Sequence, residues 1–114
     1  MKALVADDSK VMQKILTGTL SRVGIQDVHQ VTDGTEAVAA LVEGEFDLVL
    51  MDWNMPKMLG IDALKEIRSR GNPVPIIMVT TESGKSRVLE ALKAGANGYI
   101  VKPFEAPAIL AKFR

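Results

Sequence analysis

Short apolar runs recur along the chain and give the first indication of its fold. They are bounded by polar or turn residues, and Val, Ile, Leu and Met follow one another without alternating with polar residues. A run of this kind is typical of a strand buried on both faces, as in a parallel sheet. The runs span residues 3–6, 46–51, 75–79 and 98–101, and a weaker one spans residues 27–31.

Between the runs, apolar residues recur three and four positions apart, which predicts helices with one buried face. The segment that starts at Asp33 has the D-x-x-E spacing of a capping box and predicts the start of the second helix. Residues 105–114 predict a fifth helix, with Pro107 in its first turn. The first four helical patterns end at glycines, where helices commonly stop: Gly24, Gly44, Gly71 and Gly95.

Strands and helices therefore alternate five times along the chain. This order calls for right-handed crossovers and a parallel sheet that helices cover on both faces. The sequence thus predicts an α/β fold of the flavodoxin-like (βα)5 type, a doubly wound parallel sheet. With 114 residues there is no room for a second domain, so we expect one domain over residues 1–114.

Composition and charge exclude several classes of function. The chain has no Cys, which removes thiol nucleophiles, thiolate metal sites and disulfides. Its 14 Lys plus Arg balance 14 Asp plus Glu, so it offers no basic field for a nucleic acid. No apolar stretch is long enough for a signal peptide or a membrane span. We therefore expect a cytoplasmic protein that binds neither nucleic acid nor membrane.

The candidate functional residues stand at the ends of the predicted strands. Asp7 and Asp8 follow the first strand, and Asp52 follows the third. Thr80 follows the fourth and Lys102 the fifth. All parallel strands of such a sheet end at the same edge, where ligands bind. If the strand order is 2-1-3-4-5, these five side chains surround one small pocket.

Three carboxylates in one pocket repel one another strongly, by about 4 kcal/mol per pair at 4 Å and an effective dielectric of 20. A hard divalent cation relieves this repulsion, and ligands that are all oxygen favour Mg²⁺, which in turn implies a phosphoryl ligand. Asp52 would be the nucleophile, with Lys102 and Thr80 binding the phosphoryl oxygens. Taken singly, each residue has a structural explanation; Asp7 and Asp8, for example, suit the start of a helix capped by Ser9. The joint occurrence of these five residues at strand ends favours a site that binds Mg²⁺ and a phosphoryl group.

With these residues in place, the sequence resembles the receiver domain of two-component response regulators, most closely the single-domain chemotaxis (CheY-like) type. The resemblance covers essentially the whole chain and implies the strand order 2-1-3-4-5. Trp53, Asn54 and Glu82 are the positions that favour the chemotaxis type. The matching segments are residues 5–9 (VADDS), 51–56 (MDWNMP), 78–80 (MVT) and 98–104 (GYIVKPF).

The resemblance implies a role for each matched residue. Asp52 is the phosphoacceptor and Lys102 pairs with the phosphoryl oxygens, its direction fixed by a cis bond to Pro103. Thr80 turns its hydroxyl toward the phosphoryl group, and Tyr99 then swings inward into the vacated space. The Mg²⁺ ligands are Asp8, Asp52 and the Asn54 carbonyl, with Asp7 acting through a water.

The implied partners are a histidine kinase and a downstream effector, for which the flagellar motor switch is a candidate. The effector would read the surface of helix 4, strand 5 and helix 5 on a monomeric receiver. The chain itself would catalyse only its own phosphorylation and dephosphorylation. It departs from the usual pattern at Leu59, where many members have an acid, at Thr81, where a smaller residue is commoner, and at Arg114, where the fifth helix stops.

Two other functions compete with this one. A Mg²⁺-dependent phosphohydrolase with an Asp nucleophile usually carries D-x-D after its first strand, whereas Asp7 and Asp8 are adjacent here. A flavin carrier of the same fold needs a hydroxyl-rich phosphate loop at that place, where two aspartates would repel the phosphate. The phosphohydrolase is the stronger of these alternatives.

Overall fold

The computed structural model describes residues 1–102, so the predicted fifth helix and the Lys102–Pro103 bond lie outside the described residues. Within that range, strands and helices alternate as predicted. None of the helices described combines the length and apolarity needed to cross a membrane. The strands are β1 (Lys2–Ala6), β2 (Asp27–Val31), β3 (Leu48–Met51), β4 (Ile76–Thr80) and β5 (Gly98–Val101), and the helices are α1 (Lys10–Arg22), α2 (Gly34–Glu43), α3 (Gly60–Ser69) and α4 (Lys85–Ala94).

The strands form one parallel sheet in the order β2-β1-β3-β4-β5, which confirms the predicted fold class and strand order. Every residue of β3 and β4 is buried, and so is every residue of β1 after Lys2, as the unbroken apolar runs predict. Strand β2 pairs with β1 at one edge of the sheet and is mostly exposed. This edge position explains why its apolar run is the weakest.

Two apolar cores lie on opposite faces of the sheet, because successive side chains of a strand point to opposite sides. In β1, Leu4 and Ala6 belong to the core that also contains side chains of α2, α3 and α4. Ala3 and Val5 belong to the core that α1 covers. The sheet is thus held from both sides, and the strand ends that carry the candidate residues have fixed positions.

The boundaries of three strands differ slightly from the predicted ones. Strand β1 begins one residue earlier, at Lys2, and β3 begins two residues later than predicted, beyond Phe46. Phe46 instead packs beside the Lys2 ammonium group, which lies 4.7 Å from the centre of its ring. Strand β4 starts after Pro75, which has no N–H for the ladder, and it includes Thr80 as its last residue.

The helix starts follow the predicted caps with one difference. Ser9 caps α1, and its hydroxyl accepts a hydrogen bond from the Met12 N–H. Asp33 caps α2 by accepting from the Glu36 N–H at 2.9 Å. The return bond of the capping box, however, goes to Thr32 and not to Asp33, because the Thr32 N–H and hydroxyl both donate to one Glu36 oxygen. The box is therefore shifted by one residue.

Candidate functional site

The candidate residues do lie together at the carboxyl edge of the sheet. Asp7 and Asp8 directly follow β1, and Asp52 directly follows β3. These two strands are neighbours, so the three carboxylates leave the sheet side by side. Thr80 is fully buried at the end of β4, and Lys102 follows β5, which pairs with β4. The strand-end argument thus placed all five residues at one edge.

A single ammonium group is held between two of the carboxylates. Lys102 Nζ lies 2.7 Å from Asp7 Oδ2 and 3.2 Å from Asp52 Oδ2. Only 11% of the Lys102 side chain, 1% of Asp7 and 10% of Asp52 are exposed. Water therefore screens these contacts far less than it screens an ion pair on the surface. The lysine reaches from β5 across β4 to the end of β3, as its side-chain length allows.

Burial changes the acidity of the groups in this cluster. Burial raises the pKa of the Asp7 carboxyl, and the hydrogen bonds from Lys102 and from the Ser9 N–H reduce that rise without cancelling it. For Lys102, burial acts to lower the pKa, but the hydrogen bonds to Asp7 and Asp52 and the charges of these two carboxylates together outweigh it, so the pKa is raised. Lys102 is therefore charged, and the cluster still holds an excess of negative charge.

The carboxylates fit a hard divalent cation. Asp7, Asp8 and Asp52 each offer an oxygen, and these oxygens lie within 4.8 Å of one another. Asp8 is exposed, so the cluster is open to solvent on one side. Ligands of this kind, with room left for waters, suit Mg²⁺, and a cation there offsets the negative charge that Lys102 leaves uncompensated. The donor set thus agrees with the Mg²⁺ site predicted from the sequence.

Glu82 is the centre of a set of polar contacts beside the cluster, which we call the rim and which comprises Asn54, Thr80, Glu82 and Tyr99. The Glu82 carboxylate accepts a hydrogen bond from Asn54 Nδ2 at 2.9 Å. The Glu82 backbone N–H donates to Thr80 Oγ1 at 3.2 Å, and the Glu82 backbone carbonyl accepts from the Tyr99 hydroxyl at 2.7 Å. The Tyr99 ring is half-buried against the core, and burial raises the pKa of its hydroxyl, which keeps the donor protonated. Three predicted site residues therefore meet at Glu82.

Gln13 is a supporting residue that the sequence analysis missed. It is buried in α1, and its Nε2 donates to the Asp7 carbonyl at 2.8 Å and to the Val31 carbonyl at 2.9 Å. The amide thus fixes the backbone where β1 and β2 end, directly beside the carboxylate cluster. The available signal was a polar residue on the buried face of an amphipathic helix, which requires a hydrogen-bond partner.

The loop between β3 and α3 is held by backbone contacts at two glycines. The Gly60 N–H donates to the Trp53 carbonyl at 2.8 Å, and the Gly34 N–H donates to the Met58 carbonyl at 3.2 Å. Both glycines approach other backbone so closely that an added Cβ would collide with it. Leu59, at the position where many receivers have an acid, is the N-cap of α3 and makes no side-chain cap hydrogen bond. Backbone packing positions this loop.

Known proteins are similar to this chain in sequence. Residues 3–114 match the response regulator receiver domain family. The chain is 50% identical over 113 residues to chemotaxis protein CheY1 of Helicobacter pylori, covering 96% of this chain and 90% of that protein. It is equally 50% identical over 113 residues to a chemotaxis protein CheY homolog of Campylobacter jejuni, covering 96% of this chain and 86% of that protein. These matches do not favour the phosphohydrolase alternative.

Solved structures share the fold. A CheX–CheY–BeF3–Mg²⁺ complex from Borrelia burgdorferi contains a chain that matches with a TM-score of 0.94 at 30% identity, covering 99% of this chain and 86% of that one. Chemotaxis protein CheY4 of Vibrio cholerae matches with a TM-score of 0.88 at 34% identity, covering 98% of this chain and 94% of that one.

Proposed function

Because this chain belongs to the response regulator receiver domain family, we propose that it is a chemotaxis response regulator switched by phosphorylation of Asp52. One observation carries the assignment of the site: Lys102 contacts both Asp7 and Asp52 within a cluster of three carboxylates. The similarity to chemotaxis proteins of Helicobacter pylori and Campylobacter jejuni supports the pathway.

The proposed reaction transfers one phosphoryl group from a phosphorylated histidine of a partner kinase to Asp52. An Asp52 carboxylate oxygen attacks phosphorus, the phosphorus–nitrogen bond breaks, and the histidine nitrogen keeps the electron pair and takes up a proton from solvent. Hydrolysis then ends the activated state: water attacks phosphorus, the phosphorus–oxygen bond to Asp52 breaks, and the water loses a proton to solvent. Inorganic phosphate and the free carboxylate are the products. The chemistry that we propose is confined to Asp52 itself.

The surrounding residues bind and orient the phosphoryl group. The Lys102 ammonium group, already directed at Asp52, would pair with one phosphoryl oxygen, and the buried Thr80 hydroxyl would donate to another. We assign Mg²⁺ to Asp8, Asp52 and the Asn54 carbonyl, with Asp7 acting through a water. Bound Mg²⁺ supplies positive charge to the transferring phosphoryl oxygens.

The hydrogen bonds of Glu82 with Thr80 and Tyr99 suggest how phosphorylation of Asp52 changes a surface away from the site. If the Thr80 hydroxyl turns toward a phosphoryl group, it gives up the hydrogen bond that it accepts from the Glu82 N–H. Glu82 is also hydrogen-bonded to Tyr99, because its backbone carbonyl accepts from the Tyr99 hydroxyl. The loop after β4 and the Tyr99 ring would then move together. The adjoining surface of α4 and β5 is where we place the docking of a downstream effector such as the flagellar motor switch. We propose a monomer in the cytoplasm that binds neither nucleic acid nor membrane.

Fluorescence of the single Trp tests the proposal, because Trp53 directly follows Asp52. Adding beryllofluoride, a phosphoryl mimic, together with Mg²⁺ should change the emission of Trp53, and neither additive alone should give the full change. Asp52→Asn should abolish the response, whereas Asp27→Asn, at the exposed start of β2, should retain it. A response that survives in Asp52→Asn would refute the assignment.

Mass spectrometry after incubation with acetyl phosphate and Mg²⁺ provides the second measurement. The wild-type chain should gain the mass of one phosphoryl group, and the Asp52→Asn variant should gain none. Repeated turnover of small phosphate esters, in excess of one phosphate released per chain, would instead favour the phosphohydrolase.

A further inference from the structure

A cation that the proposed function does not use lies beside the rim of the site. Arg87 lies in the first turn of α4, and its Nε is 3.4 Å from Glu82 Oε1. Its guanidinium carbon lies 5.1 Å from the centre of the Trp53 ring, and a terminal nitrogen lies 3.7 Å from Glu90 on the same helix. Arg87 therefore connects α4 with both loops that carry site residues, the loop after β3 and the loop after β4.

The partner of Arg87 is the residue at the centre of the rim. One Glu82 carboxylate oxygen faces Arg87, and the other accepts from Asn54, two positions after Asp52. About a third of the Glu82 side chain is exposed, 31%, so its charge reaches the solvent side of the site. Unless Arg87 neutralises it, this carboxylate adds a negative charge at the rim of a site whose cluster already holds three carboxylates.

We propose that Arg87 is a positioning residue for phosphoryl uptake, which neutralises Glu82 and holds it at the rim so that anionic phosphodonors can approach Asp52. This inference rests on the proposed function of Asp52. Small phosphodonors such as acetyl phosphate are anions, so an uncompensated Glu82 opposes their entry. Contact of Arg87 with the Trp53 ring fixes the guanidinium group over the loop that carries Asn54.

A role for Arg87 in stability alone makes different predictions from a role in anion entry. A purely structural contact would change the unfolding midpoint and leave the salt dependence of phosphorylation unaltered. An electrostatic role makes the effect largest at low ionic strength and small at about 1 M salt, where charges are screened over about 3 Å. It also predicts rescue by another cation at position 87, and by removal of the Glu82 charge.

The test is the rate at which acetyl phosphate and Mg²⁺ phosphorylate the full chain, measured by mass spectrometry. At low ionic strength, Arg87→Ala should lower this rate by about three- to fivefold, the upper part of the range expected for partly exposed charges. Arg87→Lys should stay within about twofold of the wild type, and the double variant Arg87→Ala with Glu82→Gln should recover most of the loss. Lys93→Ala removes one charge from the last turn of the same helix and should have little effect.

Equal rates for wild type and Arg87→Ala at low ionic strength would overturn the inference and leave the proposed function intact. So would a loss that salt does not reduce, or one that the Glu82→Gln change fails to restore. If the wild-type chain gains no phosphoryl group with Mg²⁺ present, the proposed function itself fails and the inference fails with it. A salt-sensitive loss that Arg87→Lys rescues is the result expected.

Discussion

Replacing Gly60 with alanine tests how closely α3 packs against the backbone of the proposed phosphoacceptor. A Cβ at this position would lie 1.7 Å from the Asp52 carbonyl oxygen and 2.8 Å from its carbonyl carbon. Real Cβ atoms keep at least 3.0 Å from such neighbours, so the start of α3 and the end of β3 must separate by more than 1 Å. The neighbouring atoms are backbone and cannot turn aside as a flexible side chain can.

The expected cost follows from this geometry. Forced overpacking typically destabilises a protein by about 1–3 kcal/mol, and a collision with backbone belongs at the upper end of that range. Unfolding entropy is about 2.1 cal/mol/K per residue, so for 114 residues 1 kcal/mol corresponds to about 4 °C in the midpoint. Gly60→Ala should therefore lower Tm by about 12 °C.

Gly18 provides a matched control with the opposite sign. It lies within α1 and is exposed, and within residues 1–102 no atom beyond its chain neighbours and the backbone of its own helix lies within 4 Å of the place its Cβ would occupy. Alanine in an unobstructed helix is favoured over glycine by about 0.5–1 kcal/mol. Gly18→Ala should therefore raise Tm by about 2–4 °C.

Thermal unfolding followed by circular dichroism at 222 nm, a standard helix signal, measures both variants. Urea unfolding at constant temperature checks that the change lies in the free energy of unfolding. A Gly60→Ala protein whose Tm lies within about 3 °C of the wild type would refute the reasoning, because the close approach would then be relieved at little cost. A fall in Tm for Gly18→Ala would show that glycine has another role there.

Three further changes test other parts of the site. Asp8→Asn removes one of three like charges, so Tm without Mg²⁺ should rise and the increase on adding Mg²⁺ should shrink; an undiminished increase would contradict the ligand set. Gln13→Leu removes the side-chain donor of the Asp7 carbonyl and one of two donors to the Val31 carbonyl, which also accepts from the Asp7 N–H. It should cost about 1–3 kcal/mol in urea unfolding, and an unchanged midpoint would contradict its role. Asp33→Ala removes the cap of α2 and should cost about 1 kcal/mol at neutral pH. Hydrogen bonding, chiefly from Thr35, lowers the pKa of Asp33. The contribution of the ionised Asp33 cap to stability is therefore full above about pH 4 and is lost as pH falls through the lowered pKa. If Asp33→Ala still destabilised the protein equally at low pH, the assignment would be contradicted.

The fold was predictable because its determinants are local. A strand with an unbroken apolar run has apolar side chains on both faces, so it belongs in the interior of a sheet covered on both sides, and β1, β3 and β4 are buried in that way. The strand boundaries were less predictable, because the hydrogen-bond ladder between strands ends where a neighbouring residue makes another contact or lacks an N–H. Phe46 packs beside Lys2, and Pro75 lacks the N–H that the ladder needs. The capping box shifted because Thr32 offers Glu36 two donors at once.

The sequence by itself also determined which chemical groups gather at the carboxyl edge, since every parallel strand ends there and the residues that follow are read directly from the chain. Only the tertiary structure decided how those groups pair. Lys102 and Asp7 are 95 positions apart and meet at 2.7 Å because the strand order brings their loops together. The approach of Gly60 to Asp52 and the contact of Arg87 with Glu82 likewise join separate elements. Such contacts depend on distances across the fold, and no local pattern of residues encodes them.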